Sequence, residues 1–138
     1  MRHALVVAAA CGLLAAGAAF AEGDLTRRAE RLEPLKLDAA AGFSIKSYEL
    51  ETGTYYRWRI ESDGGDEYAF VAPELFRNSW IDQVSIDDRE VKPFGLSSVE
   101  FDDAGPIDIW FVPIRPGDYE FRVESLETQG FAGVMHVR

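Results

Sequence analysis

The chain has 138 residues, and its 14 lysine and arginine residues against 24 aspartate and glutamate residues give a net charge of −10 at pH 7. Such an acidic surface repels the phosphates of nucleic acids and anionic lipids, so we expect no nucleic-acid partner. Hydrophobic residues make up 47% of the sequence, which is typical of a folded domain and excludes a disordered chain. A single domain of this length buries about two-thirds of its unfolded surface.

Residues 1–21 have the parts of a secretory signal peptide. Arg2 supplies a positive start, residues 4–19 are almost all small and apolar, and Ala19-Phe20-Ala21 matches an A-x-A cleavage site. We therefore predict export with cleavage after Ala21, and the alanine-rich signal without N-glycosylation sequons favours the bacterial periplasm. Later in the sequence no stretch approaches the roughly 20 apolar residues that span a bilayer, so the mature chain has no predicted transmembrane segment.

The predicted signal peptide contains both Cys11 and His3, which limits the chemistry of the exported chain. After cleavage the protein would have no cysteine and one histidine, His136. No disulfide could form within it, so its stability would have to come from its core. Lipidation at Cys11 is disfavoured, because Ala8 stands where a lipoprotein signal has a large residue.

Residues 22–42 are interpreted as a short N-terminal helix with a lead-in to the main domain. Leu25, Ala29 and Leu32 have the i, i+4, i+7 spacing of an amphipathic helix, and Pro34 would end it. The three arginines of this segment form a small basic face. We interpret that face as solvated and paired with local carboxylates; the alternative is a docking surface for an acidic partner.

From Leu35 onward the hydrophobic period is two, as in a half-buried strand. Tyr56, Trp58 and Ile60 alternate with polar residues, and Arg57 and Arg59 on the opposite face are expected to pair with acidic cross-strand neighbours. The same alternation returns in segments 67–72, 107–111, 119–123 and 131–137.

Turn-forming sequences separate these segments, among them Asp63-Gly64-Gly65-Asp66 and Pro113-Ile114-Arg115-Pro116-Gly117. The stretch from Pro73 to Ser79 has room for one helical turn. Short strands at this spacing predict an all-β fold, a Greek-key antiparallel β-sandwich.

Three segments carry a resemblance to a known family. Residues 111–121 have the pattern Phe-x-Pro-x-x-Pro-Gly-x-Tyr-x-Phe, residues 130–137 form a closing strand with two glycines, and residues 68–77 read Tyr-Ala-Phe-Val-Ala-Pro-Glu-Leu-Phe-Arg. Together these motifs resemble those of the cupredoxins, over roughly residues 43–138. The resemblance implies a β-sandwich and, in the copper-binding members, a mononuclear type 1 copper site.

The resemblance also implies which positions correspond to the family's copper ligands. Tyr68 stands for the first histidine, Val123 for the cysteine, Leu126 for the second histidine and Phe131 for the methionine. Type 1 copper needs two imidazoles, a thiolate and a weak axial ligand. None of the four residues is a histidine, cysteine or methionine, so the resemblance implies a scaffold without the type 1 copper ligands. The count of cysteine and histidine after cleavage also excludes type 1 copper. The same count excludes binuclear copper, thiolate zinc and iron–sulfur centres. We expect no cofactor, with weak binding of copper or another divalent ion left open.

Carboxylates are the remaining candidates for binding a metal. Asp66, Glu67 and Glu74 flank the position of the first histidine, and His136 and Met135 lie near the C-terminus. Hard cations prefer several oxygen ligands, and ferrous or manganous ions accept mixed carboxylate and imidazole sets. No acidic cluster matches an EF-hand loop, so solvated acidic turns are the simpler interpretation.

Two aromatic residues are candidates for a partner surface. Tyr55 and Trp110 alternate away from the apolar faces of their strands and are expected on the outer side of the sheet. Either the N-terminal helix covers them, or they form an exposed patch of the kind that anchors a protein partner.

Three classes of function follow. The first is a non-catalytic periplasmic accessory protein on a copper-less cupredoxin scaffold, with a protein partner in the periplasm or at the inner membrane; the resemblance implies a setting in iron or copper transport. The second is direct metal binding by carboxylates with His136 and Met135. The third is an enzyme with an unrecognised site, and the single histidine has no nucleophile-elbow motif beside it.

Overall fold

The computed structural model describes residues 25–138, so the predicted signal peptide lies outside the described residues. The strands and helices are β1 (Glu30–Arg31), β2 (Leu35–Asp38), β3 (Gly42–Phe43), β4 (Ser47–Leu50), β5 (Tyr56–Ser62), β6 (Tyr68–Val71), α1 (Pro73–Arg77), β7 (Ser79–Ile86), β8 (Arg89–Val91), β9 (Ser98–Phe101), β10 (Gly105–Pro113), β11 (Gly117–Val123), a 3₁₀ turn (Glu127–Gln129) and β12 (Ala132–Val137). Among these residues no helix is long and apolar enough to cross a membrane.

The strands form two sheets that pack as a sandwich. The seven-stranded sheet has the order β3-β2-β5-β10-β7-β8 with β1 also beside β5, and the five-stranded sheet has the order β4-β12-β11-β6-β9. The predicted all-β sandwich is confirmed. Both sheets are mixed rather than purely antiparallel, because β1 and β2 pair with β5, and β4 with β12, in the parallel sense.

The helix predicted near the N-terminus is wrong. Residues 25–27 form a turn, and β1 follows as an extended segment. The backbone N–H of Glu30 donates to the carbonyl of Tyr55 at 2.8 Å, and that of Leu32 donates to the carbonyl of Arg57 at 3.0 Å. This pairing satisfies backbone groups along one side of β5, which an edge would leave open. The sandwich therefore includes β1 and β2, ahead of the boundary predicted at residue 43.

Aromatic rings fill the space between the sheets. Trp58 on β5 lies edge-on to Phe70 and Phe121 of the opposite sheet, with ring centroids 5.3 and 5.4 Å away. Such T-shaped contacts are favourable beyond the area that they bury. Gly133 on β12 lets the Phe121 ring approach, since a Cβ at this position would lie 2.3 Å from the Phe121 Cζ atom. The alternation predicted for β5 is confirmed, because Tyr56, Trp58 and Ile60 are all buried.

Local sequence determines the short elements at the ends of the sheets. α1 confirms the predicted helical turn: Pro73 opens it, and Leu75 and Phe76 are buried beneath it. Asp87 and Asp88 join β7 to β8 with φ angles of 47° and 61°. Left-handed residues at both central positions match the twist of a two-residue hairpin.

Candidate functional site

The four positions that the resemblance assigns to copper ligands lie together at the end of the sandwich where β11 ends and β12 begins. Tyr68 and Phe131 are 0% and 1% exposed, and their ring centroids are 5.3 Å apart. The backbone N–H of buried Val123 donates to the carbonyl of Phe131 at 3.0 Å. Leu126 is half-buried and packs against the same core. We call these four residues the Tyr68 cluster.

The hydroxyl of Tyr68 is tied to a turn. It donates to Asp63 Oδ1 at 2.7 Å, and the same carboxylate accepts the backbone N–H groups of Ala39 at 2.9 Å and Gly65 at 2.8 Å. These hydrogen bonds hold the pKa of Asp63 below its usual value. Burial, together with the hydrogen bond to the Asp63 carboxylate, raises the pKa of Tyr68. Tyr68 is therefore a neutral phenol at physiological pH, and its oxygen is already hydrogen-bonded within the protein.

The Tyr68 cluster does not fit type 1 copper. That site requires a thiolate and two imidazoles converging on one point. The cluster offers one phenol and three hydrocarbon side chains, and residues 25–138 contain no cysteine and a single histidine. The aromatic and aliphatic side chains fill this end of the sandwich as a packed core does.

The lone histidine lies on the exposed face of β12. His136 Nδ1 is 2.8 Å from Asp118 Oδ1, and its Nε2 is 4.0 Å from Glu49 Oε1. Hydrogen bonds from His136 and Arg138 lower the pKa of Asp118. Met135 points to the opposite face and is fully buried, so it and His136 are on different sides of one sheet.

The three carboxylates predicted with them do not form one group. Asp66 Oδ1 accepts the backbone N–H of Glu67 at 2.9 Å, and Glu74 pairs with Arg77 one helical turn away. Within residues 25–138 no three histidine, cysteine, aspartate or glutamate side chains lie close enough to hold a metal ion. The structure therefore does not bring together the metal-binding set that the sequence suggested.

A different polar cluster lies on the outer face of the seven-stranded sheet. Arg57 donates from Nε and Nη2 to the two carboxylate oxygens of Asp108, at 2.9 and 2.8 Å. Arg59 binds the same two oxygens at 3.0 and 2.7 Å. The predicted cross-strand pairing of both arginines is thus confirmed. Two bidentate contacts, each of the strong fork type, converge on one carboxylate, whose side chain is only 8% exposed.

Opposing effects determine the protonation of Asp108. Its burial by itself raises the pKa, but hydrogen bonds from Arg59 and Arg57 and the charges of both guanidinium groups lower it by more. The net pKa lies below the usual value, so Asp108 is ionised at neutral pH. A buried carboxylate without these partners would be strongly unfavourable.

Tyr55 and Trp110 flank the two arginines on the same outer face. The Trp110 ring lies 5.0 Å from the guanidinium carbon of Arg57, within the range of a cation–π interaction. The Tyr55 hydroxyl donates to Asp82 Oδ2 at 2.6 Å, and burial followed by this contact raises its pKa. Both rings are half-buried. The N-terminal helix that was one expected cover for these rings does not form, because β1 runs beside β5 in the same sheet.

The sequence analysis missed a third aromatic residue of this face, Trp80, which is 42% exposed. Trp80 on β7 pairs with Val112 on β10, and Gln83 on β7 pairs with Trp110 on β10. The register between the two strands shifts between these two pairs. The bulge adds one residue to β7 and changes the alternation there. A single strand read alone does not show such a bulge. We call Tyr55, Arg57, Arg59, Trp80 and Trp110 the aromatic–arginine face.

Comparison with known proteins shows the fold. No family model and no curated protein matches the sequence. Among solved structures, a multicopper oxidase from Campylobacter jejuni, described as a metallo-oxidase, matches with a TM-score of 0.55 and 10% identity over 80% of this chain and 30% of the oxidase chain. The chain thus spans about a third of that oxidase.

Two smaller proteins match over nearly their whole length. Auracyanin B matches with a TM-score of 0.53 and 15% identity over 81% of this chain and 91% of its own. An auracyanin from the photosynthetic bacterium Roseiflexus castenholzii matches with a TM-score of 0.52 and 16% identity, over 76% of this chain and 94% of the auracyanin chain. These neighbours are cupredoxins, so the chain has a cupredoxin-like fold.

The burial of Phe131 makes a prediction about stability. Phe131→Ala removes a ring that stacks on Tyr68 and leaves a cavity that the two sheets cannot fully close. We expect a loss of about 3–5 kcal/mol in the free energy of unfolding, measured by urea denaturation. Phe94→Ala, at a fully exposed phenylalanine, is the matched control and should change it by less than about 0.5 kcal/mol. A loss below about 1 kcal/mol for Phe131→Ala would contradict the packing of the cluster.

The carboxylate between the two arginines makes a second prediction. Asp108→Asn removes charge-assisted hydrogen bonds and should cost about 1–3 kcal/mol of unfolding free energy at pH 7. Because the folded pKa of Asp108 is lowered, its contribution is fully present above the unfolded pKa of about 3.9 and is lost as the pH falls through the lower folded value. The difference between wild type and variant should therefore be constant from about pH 5 to 7 and shrink below about pH 4.

Glu61→Gln is the control for this experiment. Glu61 Oε1 lies 3.9 Å from Arg59 Nη1 at the surface, and exposed pairs of this kind contribute about 0–1 kcal/mol. Two results would show that Asp108 does not hold the two arginines as an ionised group. One is an equal loss of unfolding free energy in Asp108→Asn and Glu61→Gln. The other is a difference between Asp108→Asn and wild type that does not change with pH.

Proposed function

We propose that this protein is a non-catalytic accessory protein of the bacterial periplasm that binds a protein partner through its aromatic–arginine face. The observation that carries this proposal is the composition of that face. Tryptophan, tyrosine and arginine are the residue types that dominate the binding energy of protein interfaces, and here they lie side by side on the outer surface of one sheet.

The face is also preorganised for binding. Asp108 and Trp110 hold Arg57, the same Asp108 holds Arg59, and Asp82 holds the Tyr55 ring. Side chains that are already ordered lose less conformational entropy when a partner docks, so more of the contact energy contributes to affinity. The strands beneath them provide a rigid platform.

The surroundings of His136 support a non-catalytic role. Acyl transfer by a Ser-His-Asp arrangement needs a nucleophile within hydrogen-bond reach of the imidazole. His136 Nε2 instead faces the carboxylate of Glu49 at 4.0 Å. Its other nitrogen contacts a second carboxylate, Asp118, so both ring nitrogens face carboxylates at the surface.

The setting that we propose is iron or copper handling, in a transport system of the periplasm or the inner membrane. Two observations support it: the cupredoxin-like sequence motifs, and the likeness of the fold to auracyanins and to a protein described as a metallo-oxidase. In this proposal the scaffold keeps its sandwich and has lost type 1 copper, because the Tyr68 cluster fills the former ligand positions.

Site-specific cross-linking in the native host tests the proposed interface. Photoreactive benzoylphenylalanine in place of Trp80 lies at the margin of the aromatic–arginine face and leaves its other four residues intact. We expect irradiation to give a discrete covalent product with one protein. The same residue in place of Glu120, exposed on β11 of the opposite sheet, should give none. No product from position 80, or equal products from both positions, would refute the proposed surface.

The absence of a thiolate ligand gives a spectroscopic prediction. The purified exported chain should remain without an intense visible band after copper(II) is added, and should bind copper(II) no more tightly than an acidic control protein. The reason is that the intense colour and tight binding of type 1 copper need the cysteine thiolate and two imidazoles. Visible absorption spectroscopy and a competition titration measure both properties. A strong band would contradict the loss of the copper site.

A further inference from the structure

The aromatic–arginine face continues into a pocket at the junction of β1 and β5. The pocket has a volume of about 180 Å³ and is lined by Arg31, Leu32, Pro34, Arg57 and Arg59. β1 pairs with β5 in parallel register, with Arg31 beside Arg57. Side chains at paired positions of a sheet lie on the same face, so three guanidinium groups lie around one depression.

The charges around this pocket do not cancel. Arg57 and Arg59 share a single carboxylate, that of Asp108, which leaves one positive charge uncompensated. Arg31 adds a second positive charge, and Glu61, 3.9 Å from Arg59 Nη1, offsets part of it at the rim. The pocket is therefore locally positive on a chain whose net charge is −10.

The guanidinium groups have donors left for a ligand. Each arginine carries five N–H donors, and Arg57 and Arg59 each make two hydrogen bonds to Asp108. Their side chains are 23% and 37% exposed, so the remaining donors can reach a group that enters from solvent. Leu32 and Pro34 form an apolar wall, beside which charge-assisted hydrogen bonds are less weakened by water.

We propose that this arginine pocket binds an aspartate or glutamate side chain of the protein partner. This inference rests on the proposed function, since it places the acidic residue next to the aromatic part of the same interface. A carboxylate matches the planar, bidentate geometry of free guanidinium donors. Extended polyanions such as nucleic acid meet long-range repulsion from the acidic remainder of the chain, whereas a short acidic segment meets mainly the local positive potential.

Charge reversal at Arg31 tests the inference in the full chain with benzoylphenylalanine in place of Trp80. Arg31 is exposed, so Arg31→Glu changes the pocket and leaves the core as it is. Because like charges across an interface are strongly unfavourable, we expect the cross-linked fraction in periplasmic extract to fall at least about tenfold. Arg89→Glu is the matched control: it makes the same charge change on β8, at the other edge of the sheet, and should lower the fraction less than about twofold.

Salt and a charge exchange complete the test. Raising NaCl from about 0.1 to about 1 M shortens the Debye length from about 10 to about 3 Å, and should reduce the wild-type product while affecting Arg31→Glu little. Mass spectrometry of the wild-type product identifies the cross-linked peptide, and replacing its acidic residues by lysine should restore the product of Arg31→Glu.

The outcomes separate this inference from the proposed function. A wild-type product that persists in Arg31→Glu, or falls equally in Arg89→Glu, overturns acidic recognition and leaves the aromatic–arginine face as the interface. A cross-linked peptide without aspartate or glutamate does the same. No wild-type product at position 80 overturns both.

Discussion

The edge-on packing of Trp58 between the sheets is the contact on which the rest of the structure depends. Its ring is within 6 Å, centroid to centroid, of Tyr48, Phe70 and Phe121, which come from three strands of the opposite sheet. Residues 25–138 contain no cysteine, so no disulfide ties the two sheets, and burial of aromatic area must hold them together. The close approach of Phe121 to Gly133 shows how tightly this centre is packed. Surface features are therefore presented on a rigid scaffold.

The end of the sandwich near Tyr68 is packed like a core, at the positions where the cupredoxin resemblance places copper ligands. The tilted rings of Tyr68 and Phe131, with centroids 5.3 Å apart, lie where the cupredoxin resemblance places ligands, and the Tyr68 hydroxyl donates to Asp63. This hydrogen bond satisfies the Tyr68 hydroxyl, which would be costly to bury unpaired. The proposed recognition surface lies elsewhere, on the outer face of the other sheet, where Arg57 and Arg59 bind Asp108.

The N-terminal segment contributes twice to that outer face. As β1 it satisfies backbone groups along β5, and through Arg31 it adds a third guanidinium to the pocket that Arg57 and Arg59 begin. Arg31, one of the three arginines of this segment, therefore lies beside Arg57 and Arg59, which follow it by about 25 residues in the chain. A helix over the same residues was one expected cover for Tyr55 and Trp110; the strand instead lies beside β5 and extends the sheet, and both rings are half-buried.

The sequence by itself determined the β-sandwich, the core residues of β5, the turns and the helical turn of α1. The reason is that alternating apolar residues favour strands, and glycine, proline and aspartate favour turns, through interactions within a few residues. It also determined that residues 25–138 lack the thiolate and second imidazole of type 1 copper, because composition does not depend on folding. Only the tertiary structure decided that residues 25–32 form a turn and a strand, since a helix of so few residues is marginal in isolation and pairing with β5 gives the N–H groups of Glu30 and Leu32 acceptors. It alone decided that Asp108 binds two arginines and that Trp80 joins their face, because both depend on the register and the bulge between strands far apart in the chain.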